Sequence, residues 1–146
     1  MNFAPLAAIS DGIIQKLNKT FDGEYTIYPE KVRQGLVRPC FFIKLLKPRV
    51  SKMVGETYLR ENPYCIHFLP KVTNEPETEC YAMLDRLYEV LEHIHVDGNL
   101  VRGIGMGGEI HDETLLFYVN YNVFVRRVYD PVLMEELELV NFKTSR

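Results

Sequence analysis

The sequence has no tryptophan and three cysteines, Cys40, Cys65 and Cys80, with no C-x-x-C pair among them. An odd number of widely spaced thiols is not a disulfide framework, and without ligand companions it is not a metal site. Each lies in an apolar stretch, where a free cysteine packs as a small hydrophobe. An intracellular, reducing place of synthesis is the expectation. No apolar run approaches the roughly 18 residues of a spanning helix, so no membrane partner is expected. The N-terminal MNFAPLAAISDGIIQKLNK has no charged stretch ahead of its apolar residues and does not read as a signal peptide. Basic charge is not in excess: 17 Lys and Arg stand against 20 Asp and Glu, a net −3. That is not the footprint of a general nucleic-acid binder. Internal repeats, low-complexity tracts and a G-x-S-x-G motif are all missing, and Ser10, Ser51 and Ser145 belong to no catalytic pattern.

What remains is an ordinary globular composition, 47% hydrophobic and 25% charged over 146 residues, the length of one domain. Aromatics make up 12%, from nine Tyr and eight Phe, and favour strands. Leu6, Ile9, Ile13, Leu17 and Phe21 recur at three- and four-residue steps and predict a first helix over 3–20. Gly12 inside it weakens the helix by about 1 kcal/mol relative to Ala. Short strands are expected at 24–28 and across PCFFIKLLKP, 39–48. Residues 48–56 read as a loop, and 57–70 as one long strand bent at Asn62-Pro63. A second helix starts after Asn74, a candidate N-cap, with Pro76 in its first turn. Its stripe of Cys80, Met83, Leu84, Leu87, Leu91 and Ile94 carries it to Asp97-Gly98. Beyond it, 99–128 reads as a long hairpin whose last strand alternates from Leu115 to Val125. The fold class is therefore α+β: a mainly antiparallel sheet of about four to five strands with two helices on one face. One domain is expected over 1–129, followed by an acidic tail over 130–146.

GIGMGG at 103–108 formally satisfies the dinucleotide pattern G-x-G-x-x-G. That pattern has meaning only where the loop hands over to a helix, whose N–H groups meet the pyrophosphate. Here the following residues, EIHDETLLFYVNYNVFV, alternate like a strand, and no ribose-binding carboxylate stands about 20 residues on. No cofactor is expected. Two readings stay open for the glycines: a softened, bulged or sharply twisted strand, or close packing of backbone from another chain.

Other chemistry is equally sparse. His93 and His95, two apart at the expected helix end, would point about 200° apart and cannot share a metal as an i,i+4 pair can. His67 and His111 have no companions, so no metal site is expected. An enzyme would need a pocket gathering groups such as His67, His111 and Glu109, and no catalytic residue is assigned. Arg126-Arg127 with Arg102 read either as a small basic patch or, more often for such pairs, as decoration of a strand end. The positive signal lies elsewhere. Leu116, Tyr118 and Phe124 fall on what would be the solvent side of the last strand, and Phe42 and Leu46 on the second side of theirs. Helices on one face leave that side for another surface to cover, most economically a second subunit.

VRQGLVRPCFFIKLL (32–46), ENPYCIHFLPK (61–71), RLYEVLEHIHVDGNLVRGIGMGGEI (86–110) and LLFYVNYNVFV (115–125) resemble the phage tail terminator family of contractile-tailed phages and defective prophages. The resemblance spans about residues 5–128 and involves no catalytic signature. It implies a non-enzymatic structural protein of the virion, at the head-proximal end of the tail. There a ring, typically a homohexamer, caps the tail tube, stops its growth and offers a surface to head-completion proteins. The alternative is a head-completion or neck connector protein of the same junction. Expected subunit contacts are Phe42, Leu46, Met106, Leu116, Tyr118 and Phe124, with the segments around Met53 and Met134 meeting tube or connector. Six copies at −3 carry about −18, so the expected lumen is acidic and lets DNA pass without adhering.

Overall fold

The computed structural model of the chain describes residues 6–30 and 34–126. Its elements are α1 (Leu6–Phe21), β1 (Thr26–Tyr28), β2 (Cys40–Leu45), β3 (Arg49–Lys52), β4 (Thr57–Glu61), β5 (Pro63–Leu69), α2 (Pro76–Val90), β6 (His93–Val96), β7 (Asn99–His111), β8 (Thr114–Tyr121) and β9 (Val123–Arg126). The α+β class stands, with more strands than the sequence pattern resolves. A six-stranded sheet has the order β1-β2-β5-β8-β7-β6, and a three-stranded sheet the order β3-β4-β9. Pairing is antiparallel except between β1 and β2.

Both helices pack on one face of the larger sheet. Ile9, Ile13, Leu17 and Phe21 of α1 and Cys80, Met83, Leu87 and Val90 of α2 share one core with Phe41, Tyr64, Ile66, Phe68, Phe117 and Tyr121. These are the side chains that period-3.6 and period-2 patterning turn inward. The α1 stripe behaves as its spacing predicts. Gly12, an apparent flaw, sits where the helix meets β6: a Cβ there would lie 2.5 Å from the His95 carbonyl oxygen. Tyr121 anchors the other helix, its hydroxyl donating to the Leu91 carbonyl at 2.7 Å where α2 ends.

Burial pushes the Tyr121 phenol far above its ordinary range and raises that of Tyr64. The unfolded chain then releases these protons first as pH rises. Stability is therefore full below about pH 10 and falls above it, by up to about 1.4 kcal/mol per pH unit for Tyr121, with Tyr64 acting in the same direction. Urea midpoints taken from pH 8 to 11.5 should drop steeply past pH 10. They should drop less steeply in Tyr121→Phe.

Four sequence expectations change. The helix after Asn74 takes Glu75 as its N-cap residue and stops at Val90. His93 and His95 therefore do not decorate a helix end; they lie on β6, where two-residue spacing puts them on one side of a strand. Residues 49–52, read as loop, form β3. The long strands divide: 57–70 at Asn62, where Asn62-Pro63 announces a bend, and 115–125 at Asn122, where none is expected.

Those breaks are one feature. The ladder Thr57↔Arg126 to Arg60↔Val123 and the ladder Pro63↔Asn120 to Phe68↔Leu115 keep the same count across the gap, so Asn62 stands opposite Tyr121. The Asn62 side chain donates to the Tyr121 carbonyl at 2.9 Å, and its own N–H donates to Asn120 Oδ1 at 3.1 Å. Tyr121 N–H donates back to the Asn62 carbonyl at 3.1 Å. Asn62 is 1% exposed. One continuous ribbon thus leaves the core sheet at a hydrogen-bonded joint and continues as the β3-β4-β9 arm.

Candidate docking surface

Three of the four glycines of 103–108 have a reason within the chain, and Gly107 faces open space. A Cβ at Gly103 would lie 2.8 Å from the Leu91 carbonyl oxygen and 2.7 Å from Val119 Cγ2. The Gly103 N–H donates to the Glu92 carbonyl at 2.6 Å. Gly108 lies beneath Leu84 of α2, and Gly105 takes a positive φ of 62°. The register slips between Ile104 and Gly107, as a bulge requires. The strand is glycine-softened so that α2 can settle on it. It hands over to another strand, so the phosphate-binding context is missing.

The cysteines are core residues: Cys40, Cys65 and Cys80 are free and buried. Burial raises all three thiols, Cys65 to about 11. Little thiolate forms at neutral pH, since free cysteine titrates near 8.5. In the folded protein at pH 7.5, iodoacetamide should label them at least about 100-fold more slowly than in 6 M guanidinium. Among the described residues no three His, Cys, Asp or Glu gather as a metal site would. His67 and Glu109 share a row of the outer sheet face, but Leu116 pairs with both and stands between them.

The expected contact residues do not form a single patch. Phe42 is 5% exposed and stacks on His67, ring centroids 4.2 Å apart, in a small cluster with Cys40, Leu69, Tyr28 and Leu36. Part of the face away from the helices is thus already covered by the chain itself. Leu116 and Tyr118 lie on the same face, half-buried, with the Tyr118 hydroxyl donating to Glu109 at 3.3 Å. Leu46 is half-buried where β2 turns into the arm, its N–H donating to the Pro63 carbonyl at 2.8 Å. Met106, in the bulge, packs instead against the helix-side core. Phe124, 66% exposed, lies on the arm opposite Leu59, and Met53, 46% exposed, is at the arm's tip. Met134, Arg127 and the 130–146 tail lie outside the described residues.

The arm's geometry adds surfaces that sequence reading missed. Because β8 bends at Asn122, β9 parts from β7 and opens a groove of about 720 Å3, lined by Leu100, Ile104, Asn122 and Phe124 among others. Leu100 is 61% and Ile104 44% exposed. The Asn122 side-chain oxygen on its wall is buried and accepts no hydrogen bond among the described residues. The available signal was the pair Asn62 and Asn122, polar residues interrupting two strands at matching points.

An arm, a groove and a half-covered sheet face give this α+β domain several exposed surfaces. The comparison with known families is specific. Residues 8–132 match the family model described as phage tail terminator protein, so the chain belongs to that family. This makes it a structural component of the phage tail, and hence of the virion. No curated protein matches it in sequence. One solved chain resembles it at 10% identity and a TM-score of 0.39, covering 88% of this chain and 99% of its own.

Proposed function

We propose that the protein terminates the tail: copies close into a ring on the head-proximal end of the tail tube and stop its growth. The outward surface of that ring then receives the head-completion protein. The family match over residues 8–132 carries the reading. Surface chemistry supports it. Leu116, Tyr118 and Phe124 keep apolar area outside the core, as contacts between copies need. A closed cyclic ring joins two different patches of each chain, and the arm and the sheet face are two different patches. Six copies are proposed, with the tube protein on one side, the neck on the other, and DNA passing through the lumen.

Tube protein polymerised with and without the purified chain provides the test. Electron micrographs should show short tubes bearing a disc at one end when the chain is present. Tubes that lengthen at the same rate and stay bare at both ends would overturn the reading.

A further inference from the structure

Charge is divided along the length of the molecule. The arm and the strand end leading into it carry Lys44, Lys47, Arg49, Lys52, Arg60 and Arg126 against Glu56 and Glu61. Arg49 is paired with Glu61 at 3.2 Å. Lys44, Lys47, Lys52 and Arg126 are exposed and form no ion pair among the described residues.

The opposite end is acidic. The first turn of α2 and the β7–β8 turn meet there, with the Cys80 thiol 3.8 Å from the Glu113 carbonyl. Glu75, Glu77, Glu79, Asp112 and Glu113 lie on these two turns, with the Lys71 backbone N–H donating to Glu79 Oε2 at 2.9 Å and His111 3.4 Å from Asp112.

Shape follows the same division. At the arm tip, Val54 is 89% exposed and Val50 56%, beside Met53. At the acidic end, a shallow concavity of about 520 Å3 lies between residues 73–75 and the first turns of α2, lined by Thr73, Asn74, Glu75, Thr78, Glu79 and Ala82. Val72 and Tyr81, which flank this stretch, are 87% and 58% exposed. Exposed apolar side chains therefore accompany opposite charges at the two ends.

We propose that the arm tip of one copy seats in the acidic concavity of a second copy. Val54 and Met53 enter it, while Lys52 and Arg126 face Glu75 and Glu77. A chain does not fill its own seat, because the arm and the acidic end lie at opposite ends of the β8 and β9 path over 114–126, at most about 40 Å long at 3.3 Å per residue. A second copy supplies the matching half: arm against arm would set cation against cation, whereas arm against concavity brings opposite charges together. The contact is heterologous, as cyclic closure demands. This rests on the ring reading above and names the surfaces that meet.

The test uses the full chain with benzoylphenylalanine at position 54, mixed with an isotopically heavy copy so that links between copies are recognised by mass. Irradiation should link position 54 to residues 72–82 of the other copy. Lys52→Glu with Arg126→Glu should cut the yield about tenfold, and so should Glu75→Lys with Glu77→Lys. Mixing the two reversed chains, each keeping its fold by circular dichroism, should restore it. Links elsewhere, no links, or reversals without effect would overturn the contact. So would arm reversal that releases double-stranded DNA but leaves the links unchanged, which would make the arm a polyanion surface. Reversed chains that still cap tubes normally would refute this contact and spare the terminator reading. A wild-type chain that links as expected yet leaves tubes uncapped would do the opposite.

Discussion

Gly12→Ala should destabilise the protein by about 1–3 kcal/mol, the range of a substitution that overpacks a tight contact. The sign is the informative part. In an isolated helix the same change gains about 1 kcal/mol, because glycine is the poorer helix former. Here the added methyl would meet the His95 carbonyl at 2.5 Å, well inside any real contact, and a backbone oxygen in a paired strand cannot step aside. Either α1 lifts from β6 or the strand shifts, and Ile9, Ile13 and Leu17 lose packing with it. Gly103→Ala should behave likewise, being pressed by the Leu91 carbonyl at 2.8 Å. Gly107 is the control. Nothing lies within 4 Å of a Cβ there, so Gly107→Ala should stay within about 0.5 kcal/mol. Thermal melts read all three: about 2–4 °C per kcal/mol applies at this size. A Gly12→Ala protein that melts higher than the parent would refute the close-contact account.

The second large effect is expected at Asn62. Its side chain and backbone close the joint through bonds to Tyr121 and Asn120. Asn62→Leu, close in size, removes the side-chain donor and leaves the Tyr121 carbonyl short of a partner in a buried place. Such loss costs about 1–3 kcal/mol. The unfolding midpoint in urea reads that cost. Hydrogen exchange reads the rest: amides of β4 and β9 should exchange at least about tenfold faster, while those of β5 and β8 change less, because the joint divides a locally opening unit from the core. Uniform acceleration through both sheets would show that the arm and the core open together.

Much of this structure is legible in the residues. The α1 stripe, the alternation of β5 and β8 and the polar stop after Val96 follow from periodicity and turn chemistry. The interruption at Asn62-Pro63 also follows from turn chemistry, but its match at Asn122 does not, because alternation continues through Asn122 without losing phase: Tyr121 and Val125 are buried on either side of the break. A pattern that records only in and out cannot register a bend that preserves parity. His93-Ile94-His95-Val96 was hidden for another reason. Its apolar residues extend the α2 stripe by helical spacing as well as they alternate, and only pairing with β7 decides between the two. The outer face was half legible. Alternation places Phe42 and Tyr118 off the helix side, but Phe42 finds His67, Tyr28 and Leu36 around it, a cover no local pattern announces. The basic arm escaped notice because 48–56, rich in charge with a proline and a glycine, looks like a connection.

Separation of charge between the tip of the arm and the turn at Asp112-Glu113 also bears on rates. A body with positive and negative poles some tens of ångströms apart experiences a torque in any external field, including that of a charged neighbour drifting past. Encounters begin pre-aligned, and their frequency falls steeply as added electrolyte shortens the reach of that field to about 10 Å at 0.1 M. Stopped-flow mixing across a range of ionic strengths would separate this orienting influence, which acts before contact, from the adhesion that follows it.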